Sequence, residues 1–244
     1  MVNEIIDEAY KLYMPQVRSE IEGLTNFLLE HFKTNGRGEH CSIPRQPLLN
    51  VLEIGTKFGG TFYIWNSINA ILRDRLHPDI YSPSERNKIC ISIDMNDGGQ
   101  HGGISEEEMD KRDLWFYERF ENCHFIRGDS HDDETFEKVH NLLGYKYFTP
   151  KPILFKEEPK IDFLFIDGDH SYEGVKQDFL DYSPLVKSGG LVCFHDITIS
   201  EHHHSRNVYV GEFWNEIKES GKYQTLEFVD GNENWGGIGV ICLK

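Results

Sequence analysis

The sequence predicts an α/β protein built on a doubly wound parallel sheet. From residue 48 onward, short apolar runs alternate with stretches long enough to form helices, which is the pattern of strands and crossover helices in such sheets. Several of the apolar runs also end in glycine or in acidic residues. Ligands of these sheets bind beyond the carboxyl ends of the strands, so a functional site is expected there.

The first 47 residues are predicted to form a helical extension in two segments. Apolar side chains keep an approximate helical period from Ile5 to Phe32, with Pro15 as a break and Asn35-Gly36 as a stop. The apolar face favours packing on the domain, and a substrate lid or a contact in a homo-oligomer are the alternatives. Residues 37 to 48 are expected to form a loop.

Residues 48 to 244 are predicted to form one domain, because no linker-like stretch divides them. The predicted strands are Leu49–Ile54, Ile89–Ile93, His124–Ile126, Phe163–Ile166 and Leu191–Phe194. The predicted helices cover residues 60–73, 105–121, 132–143, 171–182 and 207–219. A hairpin of residues 224–229 and 237–243 is expected to end the chain at the edge of the sheet.

The composition argues against nucleic acid and membrane partners. There are 41 acidic and 25 basic residues, and the formal net charge of -16 would repel a phosphate backbone. No run approaches the ~20 apolar residues of a membrane span, and Glu4, Asp7 and Glu8 stand where a signal peptide carries basic charge. The five cysteines are scattered singly and are expected to be reduced. We therefore expect a cytoplasmic protein.

A glycine-rich turn follows the first predicted strand. Gly55, Gly59 and Gly60 lie between this strand and the next helix, with Glu53 two residues before the first glycine. Such a turn lets a ligand approach bare backbone at a helix N-terminus. The spacing differs from the G-x-G-x-x-G fingerprint of nicotinamide and flavin enzymes, so the turn alone is a weak signal.

The next two strands also end in acidic residues. Asp94 ends the second strand, where a carboxylate can accept hydrogen bonds from both hydroxyls of a ribose. Asp129, followed by Ser130, ends the third strand. Each of these could be an ordinary turn residue, but three consecutive strand ends of suitable types favour a ligand site.

The fourth and fifth predicted strands end in adjacent carboxylates and imidazoles. Asp167, Asp169 and His170 follow the fourth strand, and His195 and Asp196 follow the fifth. A single such residue would be read as a turn or a helix cap. Their repetition on two strands predicts a functional site.

These motifs resemble those of the class I S-adenosylmethionine-dependent methyltransferases, and residues 49 to 197 carry the resemblance. The branch most similar is that of bacterial small-molecule O-methyltransferases, methyltransferase family 24, which includes macrocin-type sugar methyltransferases and proteins called cephalosporin hydroxylases. The matching motifs are Leu52-Glu53-Ile54-Gly55, Ser92-Ile93-Asp94, Gly128-Asp129-Ser130, Phe165-Ile166-Asp167-Gly168-Asp169-His170, Phe194-His195-Asp196 and Trp235-Gly236-Gly237-Ile238-Gly239. The resemblance implies a seven-stranded sheet whose last strand is antiparallel.

The resemblance also implies that S-adenosylmethionine binds at the first three strand ends. The turn at Gly55 would hold the methionine portion of the cofactor, Asp94 the ribose, and Asp129 with Ser130 the adenine. The candidate cofactor-binding residues are thus Glu53, Gly55, Gly59, Gly60, Asp94, Asp129 and Ser130.

The resemblance further implies a divalent cation at the last two strand ends. Asp167 and Asp196 match the metal positions, and His170 matches a general base. Oxygen ligands suit Mg2+, but His195 replaces one oxygen ligand here, and imidazole favours Mn2+, Fe2+ or Zn2+. The run His202–His204 could add ligands, although a solvated loop is favoured.

The expected activity is transfer of a methyl group to a hydroxyl of a small-molecule acceptor. One alternative is a metal-independent methyltransferase that uses His170 alone as the base. A hydroxylase or other oxidoreductase is another alternative, because Asp167, His170 and His195 could mimic an iron site of two histidines and one carboxylate. A cofactor-binding subunit without catalytic activity is the third.

Overall fold

A seven-stranded sheet of strand order β3-β2-β1-β4-β5-β7-β6 forms the centre of the molecule. The computed structural model describes residues 1–33, 49–74, 88–95, 103–144 and 160–244. The strands are β1 Val51–Ile54, β2 Cys90–Asp94, β3 Cys123–Arg127, β4 Ile161–Ile166, β5 Val186–His195, β6 Gln224–Phe228 and β7 Ile238–Cys242. Strands β1 to β5 are parallel, and β7 pairs antiparallel with both β5 and β6. This arrangement confirms the predicted fold class.

Helices cover both faces of the sheet. In the described residues they are α1 Val2–Lys11, α2 Arg18–Lys33, α3 Gly60–Asp74, α4 Glu106–Tyr117, α5 Asp133–Leu142, α6 Tyr172–Tyr182, α7 Glu201–His204 and α8 Val210–Glu219. Successive strand residues point to opposite faces, so Phe163 and Phe165 of β4 join one core while Leu164 and Ile166 join the other. Every strand residue of β4 is therefore buried.

The predicted strands and helices after residue 48 are all present, with shifted bounds. Helix α4 begins with a capping box formed by Ser105 and Glu108. Strand β5 starts at Val186 instead of Leu191. The additional stretch includes Gly189, whose φ of +71° is a backbone conformation that glycine adopts readily. Helix α7 is not indicated by the sequence pattern, and it begins where the Ser200 side chain accepts a hydrogen bond from the His203 N–H.

The two N-terminal helices pack on the domain. Ile6 of α1 and Leu24 and Leu28 of α2 are fully buried in the same core as Trp65 of α3 and Phe163 of β4. This is the interpretation that their apolar face favours. An oligomer contact through these helices stays a prediction.

The cysteines only partly match expectation. Cys90, Cys123 and Cys193 are free and buried, as predicted. Cys242 of β7 is disulfide-bonded, so the expectation of a reduced thiol is wrong there, since single, widely spaced cysteines carry no local signal of pairing.

In the described part of the chain, no helix combines the length and apolarity that crossing a membrane requires.

Glu53 of β1 is a fully buried carboxyl group between the sheet and α3. It accepts hydrogen bonds from the Thr61 hydroxyl at 3.1 Å and from the Trp65 indole N–H. Burial raises its pKa from 4.5 to about 8, although these two donors oppose the shift. The carboxyl group is therefore protonated in the folded protein near neutral pH.

We expect Glu53→Gln to become more stable relative to the wild type as the pH rises. The unfolded chain loses the proton above pH 4.5 while the folded chain keeps it up to about pH 8. The wild type therefore loses unfolding free energy across this window, at about 1.4 kcal/mol per pH unit at most. Urea unfolding at several pH values between these limits measures the difference.

The control is Glu106→Gln, which changes an exposed side chain of α4. Its unfolding free energy should follow the wild type at every pH. Parallel pH profiles for the wild type and Glu53→Gln would contradict the assignment.

Candidate active site

The glycine turn after β1 lies directly against the end of β4. Gly55 has a φ of +88°, and a Cβ atom there would lie 1.9 Å from the carbonyl oxygen of Asp167. The Asp167 N–H donates to the Ile54 carbonyl oxygen at 2.9 Å. Only glycine fits this position, and the sheet order reverses between β1 and β4, which is where such sheets bind ligands.

Asp94 ends β2 beside this turn, but its carboxylate already has a partner. Arg112 of α4 donates from Nη1 to Asp94 Oδ2 at 2.5 Å and to the Lys57 carbonyl oxygen at 2.5 Å. Burial raises the pKa of Asp94 and outweighs the opposing effect of the guanidinium group. One carboxylate oxygen thus binds Arg112, which ties the end of β2 to the glycine turn.

Arg112 is not identified by the sequence pattern. Its side chain lies on the helix face of Met109 and Phe116, three residues before it and four after it, and all three are buried. The only local sign in the sequence that Arg112 has a special role is that a basic residue lies on an otherwise apolar helix face. That pattern does not show the contact to Asp94, which lies 18 positions earlier in the chain.

The third strand end is fixed by its own hydrogen bonds. Asp129 Oδ1 accepts from the His131 N–H at 2.9 Å, and the Ser130 carbonyl oxygen accepts from the Tyr182 hydroxyl at 2.7 Å. Gly60 begins α3 at the same edge, directly after Gly59. Two of the seven candidate cofactor residues have inward-pointing side chains in the described structure. Glu53 is fully buried against α3, and Ser130 is buried with its side chain hydrogen-bonded to Asp178.

A compact cluster of carboxylates and imidazole lies at the ends of β4 and β5. His170 Nε2 is 3.3 Å from Asp167 Oδ1, and His170 Nδ1 is 3.1 Å from Asp196 Oδ2. One ligand atom from each of these three residues lies within 4.8 Å of the other two. The structure therefore brings together the predicted base and two predicted metal ligands.

His195, the third predicted metal ligand, is buried beneath this cluster. Its Nδ1 atom is 3.0 Å from Asp167 Oδ1 and 3.3 Å from Asp196 Oδ1. Its Nε2 atom is buried and has no hydrogen-bond partner among the described residues. His195 thus faces the same carboxylates from the protein side.

The cluster carries opposite charges in close contact. Burial alone would raise the pKa of Asp167 and Asp196, but the neighbouring imidazoles of His195 and His170 hold both values below the usual range. Burial would lower the pKa of His170 and His195, but the two carboxylates raise both values. The imidazoles and the carboxylates therefore stabilise each other's charged forms.

His203 supports the cluster from α7, where the sequence favours a solvated loop. Its Nδ1 atom lies 2.5 Å from the Thr198 carbonyl oxygen, and its Nε2 atom accepts from the Gly236 N–H at 3.1 Å. The same Nε2 atom is 3.4 Å from Asp196 Oδ1. Asp196 itself has a φ of +64°, a conformation that aspartate tolerates better than most residues.

Gln16, between α1 and α2, also reaches the cluster. Its amide Nε2 donates to Asp167 Oδ2 at 2.8 Å. Nothing in the local sequence indicates this contact, because the two residues are 151 positions apart.

The cluster has the chemistry of a divalent cation site. Two carboxylates and an imidazole are ligands that Mn2+, Fe2+ and Zn2+ accept, and carboxylates alone suit Mg2+. A cation there would take the place of the imidazole protons in balancing Asp167 and Asp196. The fit rests on the buried carboxylates, whose charge no lysine or arginine in the described residues offsets.

Comparison with known proteins identifies the family. The sequence profile of a family described as "Methyltransferase domain" matches residues 52–197. Protein R132 of Acanthamoeba polyphaga mimivirus is 34% identical over 148 residues, which are 61% of this chain and 51% of that protein. Protein y4gI of Sinorhizobium fredii is 24% identical over 178 residues, which are 73% of this chain and 15% of that protein. The chain thus spans about half of one curated relative and a smaller part of the other.

Solved structures share the fold at low sequence identity. A candidate caffeoyl-CoA O-methyltransferase from Staphylococcus aureus has a TM-score of 0.57 at 17% identity, covering 100% of this chain and 92% of that chain. The MycE methyltransferase of the mycinamycin pathway, in complex with Mg, S-adenosylhomocysteine and mycinamycin VI, has a TM-score of 0.53 at 13% identity, covering 100% and 54%. Because the family profile matches more than half of the chain, the protein belongs to this family of methyltransferase domains.

Proposed function

We propose that the protein transfers the methyl group of S-adenosylmethionine to a hydroxyl of a small-molecule acceptor, with a divalent cation bound at the acceptor side. The observation that carries this proposal is the direct contact between the glycine turn at Gly55 and Asp167 of the cluster. A cofactor on the turn and an acceptor on the cluster would be adjacent. Proximity of this kind is a large part of the catalysis of group transfer.

The cofactor half of the proposal rests on the first three strand ends. The Gly55 turn exposes backbone, Asp94 keeps one carboxylate oxygen free of Arg112, and Asp129 remains partly exposed at the third end. The net charge of -16 disfavours a nucleic acid acceptor, which supports a small molecule instead.

The chemistry requires that the acceptor hydroxyl lose its proton as its oxygen attacks the methyl carbon. The new O–C bond forms while the S–C bond of the sulfonium breaks, which leaves S-adenosylhomocysteine and a methyl ether. His170 is the proposed base, because about a third of its side chain is exposed whereas that of His195 is 4% exposed. A cation bound to Asp167 and Asp196 would orient the acceptor and lower the pKa of its hydroxyl.

The MycE structure supports the cation, since it holds Mg together with S-adenosylhomocysteine and mycinamycin VI. The imidazole of His195 beside Asp167 and Asp196 makes Mn2+ or Fe2+ acceptable as well as Mg2+ in this chain.

We expect Asp94→Asn to weaken binding of S-adenosylhomocysteine by about 10- to 100-fold, because a hydrogen bond to a charged acceptor is lost. The substitution keeps the size of the side chain and an oxygen for Arg112. Isothermal titration calorimetry measures the affinity. Asp110→Asn, on the exposed side of α4, is the control and should bind as the wild type. Equal affinity in a folded Asp94→Asn protein would contradict the ribose assignment.

We expect Asp167→Asn to abolish saturable Mn2+ binding, because the substitution removes the charged oxygen shared by His170 and His195. Electron paramagnetic resonance of free Mn2+ measures the binding. In the wild type the affinity should rise with pH, since the cation competes with protons on the imidazoles. Asp169→Asn is the matched control, because Asp169 is exposed and accepts from the Ser171 N–H instead. Unchanged Mn2+ binding in Asp167→Asn would remove the cation from this site.

We expect His170→Ala to lower turnover by roughly 100- to 10,000-fold while cofactor affinity stays unchanged, as for loss of a general base. The acceptor is first found by incubating the protein and cofactor labelled in the methyl group with sugars, phenols and hydroxylated natural products. Mn2+ affinity separates two roles: a base leaves it intact, whereas a ligand lost from the cluster lowers it. Near wild-type turnover in His170→Ala would refute the assignment of the base.

A further inference from the structure

Gln16 is a buried residue of the segment that joins α1 to α2. Its side chain is 5% exposed, and its backbone carbonyl oxygen accepts a hydrogen bond from the Tyr10 hydroxyl at 2.6 Å. The same segment packs against the start of α3, where a Cβ atom on Gly60 would lie 2.5 Å from Met14. The segment is thus held firmly against the edge of the sheet that carries the site.

The Gln16 amide contacts one carboxylate oxygen of Asp167, and the two histidines contact the other. Gln16 Nε2 donates to Oδ2 at 2.8 Å, while His195 Nδ1 and His170 Nε2 approach Oδ1 at 3.0 and 3.3 Å. A flipped amide would place oxygen against oxygen, so the hydrogen bond fixes which amide atom faces Asp167. Gln16 therefore sets the orientation of this carboxylate.

The other end of the amide lacks a partner. Gln16 Oε1 is buried and accepts no hydrogen bond from the parts of the chain that the structure describes. Buried amide oxygens are nearly always satisfied by protein, water or ligand. The unpartnered oxygen belongs to an amide already bound to Asp167, so it lies beside the cluster.

We propose that Gln16 is a member of the divalent cation site. The proposal rests on the cation in the proposed function and adds a residue from the N-terminal extension. Nε2 positions Asp167, and Oε1 offers a neutral oxygen to the coordination sphere of the cation, of the amide kind that hard cations accept. Contacts of this sort to a ligating carboxylate commonly contribute about 10- to 100-fold to metal affinity.

The contact of Gln16 with Asp167 connects the N-terminal helices to the site. Glu20 of α2, four residues after Gln16, accepts from the backbone N–H groups of Asp230 and Gly237 at 2.9 and 2.7 Å. Gly237 in turn accepts from the Ile197 N–H, next to Asp196. The extension thereby contacts Asp167 directly and is linked to the residue after Asp196 through Gly237.

The test is the Mn2+ affinity of Gln16→Leu, measured by calorimetry and electron paramagnetic resonance without acceptor. We expect this affinity to fall by about 10- to 100-fold while binding of S-adenosylhomocysteine stays unchanged. Gln177→Leu is the matched control, because Gln177 also donates to an aspartate, Asp181, at 2.9 Å and lies outside the cluster. Its Mn2+ affinity should equal that of the wild type.

A second variant covers the case in which Gln16→Leu does not fold. Gln16→Glu places another carboxylate beside Asp167, so the cation-free protein should melt at a lower temperature and the rise in Tm on adding Mn2+ should exceed that of the wild type. A merely structural Gln16 would lower the Tm equally with and without Mn2+.

Three results would overturn the proposal. Unchanged Mn2+ affinity in folded Gln16→Leu overturns it alone, and so does a Gln16→Glu protein with the wild-type rise in Tm. Absence of Mn2+ binding in the wild type overturns it together with the cation of the proposed function. In that last case, S-adenosylhomocysteine binding by the wild type still decides whether the protein uses the cofactor.

Discussion

The close approach of Gly55 to the backbone of Asp167 is the contact on which the rest of the site depends. A side chain at position 55 would collide with the Asp167 carbonyl oxygen, so glycine lets the ends of β1 and β4 meet. The turn that exposes backbone and the aspartate that anchors the acidic cluster are thereby neighbours. Substitution at Gly55 would separate the two halves of the site instead of merely loosening a turn.

Three kinds of buried carboxyl group near this contact are stabilised in three ways. Glu53 keeps its proton, because burial outweighs its two hydrogen-bond donors. Asp94 has a guanidinium partner in Arg112. Asp167 and Asp196 rely on imidazoles, which are able to give up a proton, whereas the guanidinium group of arginine is not. Only the last arrangement can exchange its positive charge for that of a cation.

Local sequence pattern predicts the sheet and the positions at its rim. The apolar runs and the acids that end them are adjacent in the chain, so the amino-acid sequence alone places Asp94, Asp167 and Asp196 at one edge. It does not place Gln16, Arg112 and His203, because their roles arise from contacts between elements. The 151-residue separation of Gln16 and Asp167 leaves no periodicity to detect. His203 belongs to a histidine run of solvated character, and only the formation of α7 turns this one member inward.

The N-terminal helices and the sheet share one apolar core that extends beyond the residues matched by the family profile. The family profile begins at residue 52 and ends at residue 197, yet Leu24 and Leu28 of α2 pack in one core with Trp65 and with Val240 of β7. A fragment cut to the bounds of the profile would lose strands β6 and β7 and uncover apolar surface on β5 and α3. The stretch that identifies the family is thus shorter than the part of this chain that shares one apolar core.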